Sequence, residues 1–241
     1  MVIKVALDDA GPDTEAATLA SAAGRGYALL YDYDPARRAL LLESLGRPLS
    51  DAGTTPERQL AVLADTVSLA WQDPAACGRP EGPKAATLAT LIETWFAGLD
   101  RPCPPAVVDQ ALRYADRLRS VPAGELVVVH GDPHPGNLLR VPAPRPGAET
   151  GYCFVDPDGI VTDRAYDLGV ILRDWTSHLT GSDPRAVLAG YCRQLAGRTG
   201  VAADRIWAWG FLERVSTGLY LKSLAADSLA DRFLRTAAAL V

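Results

Sequence analysis

Short runs of alternating apolar and polar residues dominate the first part of the chain. Residues 2–7, 27–33 and 39–43 have the alternation and the β-branched or aromatic content of strands. Residues 14–23 have helical spacing, and glycines and an Asp-Pro pair separate these segments. The pattern predicts a small strand-rich region that contains one helix.

The apolar spacing becomes helical from residue 56 onward. Helices are predicted over 56–71, 88–99 and 107–118, and again over 165–175 and 207–219. Two short apolar strands, 125–129 and 152–155, interrupt this block, and the Pro- and Gly-rich segment 141–151 between them predicts a surface or hairpin loop. We therefore predict an α+β fold with a small N-terminal lobe over 1–45 and a large, mainly helical lobe over 46–241.

The composition narrows the classes of partner. The chain has 241 residues, 48% of them hydrophobic, and a formal net charge of −5. Nucleic-acid binding needs a basic surface, so a cationic small molecule suits this chain better. We expect no membrane partner and a cytoplasmic location, because no apolar run approaches the ~20 residues of a transmembrane helix and the first residues do not resemble a secretory signal. The separated cysteines predict no zinc site or disulfide.

The densest polar cluster follows the strand at 125–129. It contains Asp132 and, five residues later, Asn137, and Asp156 ends the next strand. Phosphoryl transfer needs a carboxylate for the acceptor proton and oxygen ligands for Mg²⁺. The spacing therefore predicts Asp132 as catalytic base and Asn137 and Asp156 as metal ligands.

Alternative interpretations of this cluster remain open. Asp132 and Asn137 could simply be turn residues. His130, Asp132 and His134 also form H-x-D-x-H, a run that could bind the metal of a hydrolase, although His178 is the one other histidine in the chain. We prefer a role for His130 in supporting the loop.

Further candidates lie outside this cluster. Lys4, in the first strand, and Glu15, in the following helix, are candidates for the pair that binds nucleotide phosphates, although an edge-strand lysine facing water is the simpler alternative. The backbone of Glu43 and Leu45 is a candidate for contacting adenine, and otherwise forms only an interlobe connection. Asp167 is placed to accept backbone N–H groups in support of the catalytic loop.

At these residues the chain resembles the aminoglycoside phosphotransferase family, of protein-kinase-like fold. Residues 130–137 match its H-G-D-x-H-x-x-N element, residues 154–156 its metal-binding aspartate and residues 163–168 its D-x-x-Y-D-L stretch. Segments 156–161 and 209–218 are similar to the streptomycin 6-phosphotransferase and aminoglycoside/hydroxyurea resistance kinase branch. The resemblance implies transfer of phosphate from ATP, with Mg²⁺, to a hydroxyl of an aminoglycoside-like substrate, and hence antibiotic resistance.

The chain also departs from that family. Lys4 stands so close to Met1 that the first two strands and the Gly-rich loop are missing from the small lobe, which we expect to weaken ATP binding. A fragment, a misassigned start, or a pseudokinase without turnover are alternatives, as is a kinase of choline, homoserine or a sugar. Asp158 stands where the branch has a basic residue. The acidic residues assigned to bind cationic groups of the substrate are Asp158, Asp163, Asp174 and Glu213.

Overall fold

The computed structural model describes residues 1–6, 12–77, 79–80, 82–122, 124–179, 181 and 183–241. Its helices and small sheets confirm the mixed helix-and-sheet class. The chain forms two compact units, one made of Met1–Glu81 with Ala123–Asp167 and the other of Gly82–Pro122 with Leu168–Val241. Each unit thus combines separate stretches of sequence. The division at residue 45, between a nucleotide-binding lobe and a lobe that carries the catalytic loop, remains a prediction.

The first unit begins with an antiparallel sheet. Its strands are β1 (Val2–Val5), β2 (Leu30–Asp34) and β3 (Ala39–Leu42), in the order β1-β3-β2, and helix α1 (Pro12–Ala22) connects β1 to β2. Alternation in β3 turns Leu40 and Leu42 into the core. Leu7, the end of the predicted first strand, lies outside the described residues.

The rest of the first unit carries the polar strand ends. Helix α2 (Pro56–Ala70) starts at Thr55, whose side chain accepts a hydrogen bond from Arg58 N. The remaining strands are β4 (Arg79–Pro80), β5 (Leu126–Val129), β6 (Leu138–Arg140), β7 (Tyr152–Phe154) and β8 (Ile160–Asp163). Strand β8 pairs with β4 and β5, and β6 pairs with β7. Residues 141–151 are therefore the loop of the β6–β7 hairpin.

The second unit is a bundle around one buried helix. Its helices are α3 (Lys84–Gly98), α4 (Pro105–Leu118), the end of α5 (Ala165–Arg173), α6 (Pro184–Thr199), α7 (Ala203–Ser223) and α8 (Asp227–Ala238). Helix α7 contacts α3, α4, α6 and α8, and it is buried on most sides from Ile206 to Leu219. A helix buried all round needs other helices to cover it, which explains the bundle.

Helices α6 and α8 were not predicted as separate elements. The buried face of α8 includes Ala230 and Ala237 beside Phe233 and Leu234, and alanine adds little to a hydrophobic pattern. Helix α6 has a clear start, because the Asp183 carboxylate accepts from Ala186 N at 2.8 Å. Within the described ranges, no helix is both long and apolar enough to cross a membrane.

Candidate active site

The loop after β5 is held by one buried carboxylate. Asp167 accepts hydrogen bonds from His130 N at 3.0 Å, Gly131 N at 2.9 Å and Trp71 Nε1 at 2.9 Å. Burial raises the pKa of Asp167 to about 6, and these hydrogen bonds offset only part of that effect. The position of Asp132, the next residue, therefore depends on Asp167.

The histidines of this loop are engaged within it. His130 is fully buried; its Nδ1 accepts from Asp132 N at 3.1 Å, so its Nε2, 2.9 Å from Val155 O, is the protonated nitrogen that donates. Burial lowers the pKa of His130 to about 4, so the ring is neutral near pH 7. His134 Nδ1 accepts from Gly136 N at 3.0 Å. These bonds argue against the H-x-D-x-H metal site, and the described residues contain no cluster of three or more His, Cys, Asp or Glu suited to a metal.

Asn137 is oriented by the same loop. Its Nδ2 donates to Asp132 O at 3.0 Å, which leaves Oδ1 as the atom that can act as a ligand. Val155 N donates to Asn137 O at 3.0 Å and so brings the end of β7 beside this residue. Asp156 follows with φ of 59°, in the left-handed region that is costly for a residue with a side chain.

Lys4 links the first sheet to that aspartate. Its Nζ lies 2.7 Å from Glu15 Oε2 and 2.8 Å from Asp156 Oδ1. Burial opposes the charge of Lys4, but the hydrogen bonds to Asp156 and Glu15 outweigh it and raise the pKa overall. Burial also raises the pKa of Glu15, against the effect of Lys4. The ammonium of Lys4 on β1 thus contacts its predicted partner Glu15 on α1. It also contacts Asp156, the predicted metal ligand after β7, a contact that the sequence did not predict.

Asn137 and Asp156 suit a magnesium ion by their chemistry. An amide oxygen and a carboxylate are hard oxygen donors of the kind Mg²⁺ takes. The Asp156 side chain is 49% exposed, so it can reach a bound nucleotide. The donor set therefore fits the expected metal.

Glycines allow Asp158 and α1 to pack tightly against these loops. Asp158 N donates to His130 O at 2.7 Å, and a Cβ on Gly131, whose φ is 98°, would collide with the Asp158 carboxylate. A Cβ on Gly159 would collide with Thr18 Oγ1 of α1. Asp158 consequently lies beside the loop that carries Asp132.

The segment after β3 is fixed by an arginine that the sequence analysis missed. Glu43 N donates to Leu29 O at 2.9 Å, so of its backbone only the carbonyl remains for contacting adenine. The Glu43 carboxylate accepts from Arg145 Nε at 3.0 Å and Nη2 at 2.7 Å. Arg145 Nη1 also donates to Gly24 O at 2.7 Å, and Nη2 to Tyr27 O at 2.9 Å. Leu45 packs against the buried cluster that includes Ala28 and Cys153.

No local sequence signal marks Arg145 or Trp71. Arg145 lies in the Pro-rich hairpin loop, 102 residues from Glu43, and Trp71 is 96 residues from Asp167. Both contacts join residues far apart in the sequence, so they depend on how distant elements pack together.

The remaining acidic candidates have partners inside the protein. Asp163 is buried, and its carboxylate accepts from Ala165 N at 2.9 Å, at the start of α5. In the second unit Asp174 lies 3.1 Å from Arg173 Nε, and the buried Glu213 lies 3.5 Å from Arg173 Nη1. Each of these carboxylates thus has a structural contact.

A lysine paired with a helix glutamate, beside a D-x-x-x-x-N loop and a following aspartate, defines the class of kinase-like phosphotransferases. A profile of the Phosphotransferase enzyme family matches residues 6–204. The chain belongs to this family and is a phosphotransferase with a hydroxyl group as acceptor. No curated protein matches the chain in sequence.

Solved structures share the fold at low sequence identity. The aminoglycoside phosphotransferase APH(3'')-Id from Streptomyces rimosus, in complex with ADP and streptomycin, has a TM-score of 0.58 at 20% identity, covering 85% of this chain and 81% of that protein. A choline/ethanolamine kinase family protein from Mesorhizobium loti has a TM-score of 0.64 at 18% identity over 99% and 81%. Choline kinase LicA from Streptococcus pneumoniae has a TM-score of 0.61 at 15% identity, covering 99% of this chain and 84% of that protein.

Proposed function

We propose that the protein uses ATP and Mg²⁺ to phosphorylate a hydroxyl of a cationic, aminoglycoside-like small molecule in the cytoplasm. The observation that carries this proposal is the position of Lys4 Nζ, between Glu15 and Asp156 and at hydrogen-bond distance from both. An ammonium held in this way is suited to nucleotide phosphates. In this proposal residues 1–45 bind the nucleotide, and residues 46–241 supply the catalytic loop and bind the acceptor.

Asp132 is the proposed base. It takes the proton of the acceptor hydroxyl as that oxygen bonds to the γ-phosphorus, while the bond from phosphorus to the β–γ bridging oxygen breaks and ADP leaves. The Asp167 contacts to His130 and Gly131 hold Asp132 in place. Asn137 Oδ1 and the Asp156 carboxylate hold Mg²⁺, which when bound offsets charge on the phosphates. Lys4 neutralises further phosphate charge.

The carbonyl of Glu43 and the N–H of Leu45 are the proposed contacts to adenine. Arg145 and Leu29 fix the side chain and the N–H of Glu43, which leaves its carbonyl in a defined direction. Such preorganisation lowers the entropy cost of binding.

Asp158 is the residue we propose for attracting a cationic acceptor. Its carboxylate lies against Gly131, next to the proposed base, and the net charge of −5 favours a cation as well. Because Asp163 is buried and both Asp174 and Glu213 contact Arg173, their proposed substrate contacts have less support than that of Asp158.

A small amino alcohol such as choline is the second candidate acceptor. The similarity in fold to two choline-type kinases supports it. Choline is cationic too, so charge alone does not separate it from an aminoglycoside.

The test is to incubate the purified chain with MgATP and a panel of streptomycin, other aminoglycosides, choline, ethanolamine and homoserine. Mass spectrometry should detect one acceptor that gains a phosphoryl group, and Asp156→Asn should give no product. Product from choline alone would replace the aminoglycoside proposal. ATP binding without any product would favour a pseudokinase.

A further inference from the structure

A buried arginine in the second unit has no carboxylate within ion-pair distance among the residues that the structure describes. Arg214 of α7 is fully buried; its Nη2 donates to Leu172 O at 2.7 Å and its Nη1 to Thr236 Oγ1 at 3.2 Å. Its Nε has no hydrogen-bond partner among the described residues. Burial lowers the pKa of Arg214 to about 10, while the charge of Asp174 acts in the opposite direction. Asp174 itself is bonded to Arg173.

A buried cation without direct compensation is costly for the folded state. Charges inside proteins are normally paired, because removal from water costs several kcal/mol per ion. The two acceptors that Arg214 contacts, Thr236 Oγ1 and Leu172 O, are neutral oxygens. An anion close to this arginine would supply the missing compensation.

Thr236 also lines a cavity. Its volume is about 430 Å³, within the range of small-molecule sites. It is lined by Thr176 and Ser177 of the 3-10 helix Thr176–Leu179, and by Arg232, Arg235 and Thr236 of α8. Thr236, which accepts from Arg214, is thus shared between the cavity wall and the buried arginine.

The lining combines cations with hydroxyl groups. No hydrogen bond or ion pair within the described residues engages the Arg232 guanidinium. Arg235 is 72% exposed and has only a long contact, 3.8 Å, with Asp231. Asp231 in turn lies 3.1 Å from Lys222 Nζ. Guanidinium groups bind carboxylate and phosphate in a bidentate manner, and hydroxyls add single hydrogen bonds.

We propose that this cavity binds the phosphate or carboxylate group of a small molecule, through Arg232 and Arg235 and with Arg214 as the charge behind its wall. The site differs in chemistry from the acceptor site proposed above, which is acidic. It does not depend on the proposed acceptor or on phosphoryl transfer.

Hydrogen exchange with mass detection tests the site, with inorganic phosphate and citrate as separate probes. In the wild-type protein, phosphate, citrate or both should slow exchange in residues 227–238. Protection by phosphate alone assigns a phosphate group, and protection by citrate alone a carboxylate. The Arg232→Gln/Arg235→Gln double variant should need at least about a tenfold higher anion concentration for the same protection. The reason is that each lost charge-assisted hydrogen bond weakens binding by about that factor.

Matched variants separate this site from other anion binding. Arg193→Gln removes an exposed arginine of α6 and should leave the protection unchanged. Lys4→Met removes the proposed nucleotide-phosphate contact and should also leave the protection of residues 227–238 unchanged. Absence of protection in wild type, equal protection in the double variant, or loss of protection in Arg193→Gln would each overturn the proposal.

Discussion

Two arginines, Arg145 partly buried and Arg214 fully buried, show how differently the two units handle charge. In the first unit Arg145 forms a bidentate pair with Glu43 and also caps backbone carbonyls. In the second unit Arg214 is more deeply buried, yet within the described part of the chain it donates only to Thr236 Oγ1 and Leu172 O. A charge that is already paired stabilises the folded chain, whereas a buried charge without an ionic partner is stabilised most by binding an anion.

The catalytic loop should show the largest single effect, and it should be an effect on rate alone. Asp132→Asn removes the proposed base, so kcat should fall by about 10²–10⁴-fold. The Asp132 side chain is 41% exposed, and the free energy of unfolding should therefore change little. Steady-state kinetics and urea unfolding of the same preparation check both points. A variant with near-normal kcat would remove Asp132 from the mechanism.

Breaking the compensated pair should cost stability. Arg145→Met leaves the partly buried Glu43 carboxylate with Leu29 N as its remaining donor. The free energy of unfolding should fall by about 3 kcal/mol, the lower end of the loss expected for a buried pair. Urea unfolding measures the loss. The double variant Glu43→Gln/Arg145→Met should recover part of it, since no charge is left behind. A single variant as stable as wild type would show that the pair is dispensable.

The pH dependence of the first unit should reveal two opposing buried groups. The pKa of His130 is about 4 in the folded protein, against an ordinary value of 6.5. Its contribution to stability is therefore full above pH 6.5 and is lost as the pH falls toward 4. Asp167, with a pKa of about 6, acts in the opposite sense: its contribution is present below its ordinary 3.8 and is lost as pH rises through 6. The two effects partly cancel in wild type.

Asp167→Asn should uncover the contribution of His130. Its free energy of unfolding should rise by about 3 kcal/mol between about pH 4 and pH 6.5, from the shift of His130 alone. Urea unfolding across this range gives the slope, and wild type should be flatter. Equal slopes in the two proteins would show that Asp167 does not retain a proton.

Removing the uncompensated arginine should have the smallest effect. Arg214→Met loses hydrogen bonds to neutral oxygens but leaves no buried charge behind. The free energy of unfolding should therefore change by no more than about 1 kcal/mol. Urea unfolding beside Arg145→Met checks the contrast directly. A loss as large as that of Arg145→Met would mean that Arg214 is a structural residue.

The sequence by itself determined the class of this protein and predicted the centre of its candidate site. Asp132 and Asn137 lie in one loop, Lys4 lies in a strand and Asp156 follows the end of another. Local patterns predict each of these positions, so short-range information was sufficient. Only the tertiary structure decided the contacts of Arg145 with Glu43 and of Trp71 with Asp167. It also decided that Arg214 contacts neutral oxygens and, in the described ranges, no carboxylate. The physical reason is that burial and hydrogen bonding between distant residues depend on strand pairing and helix packing, which no local pattern encodes.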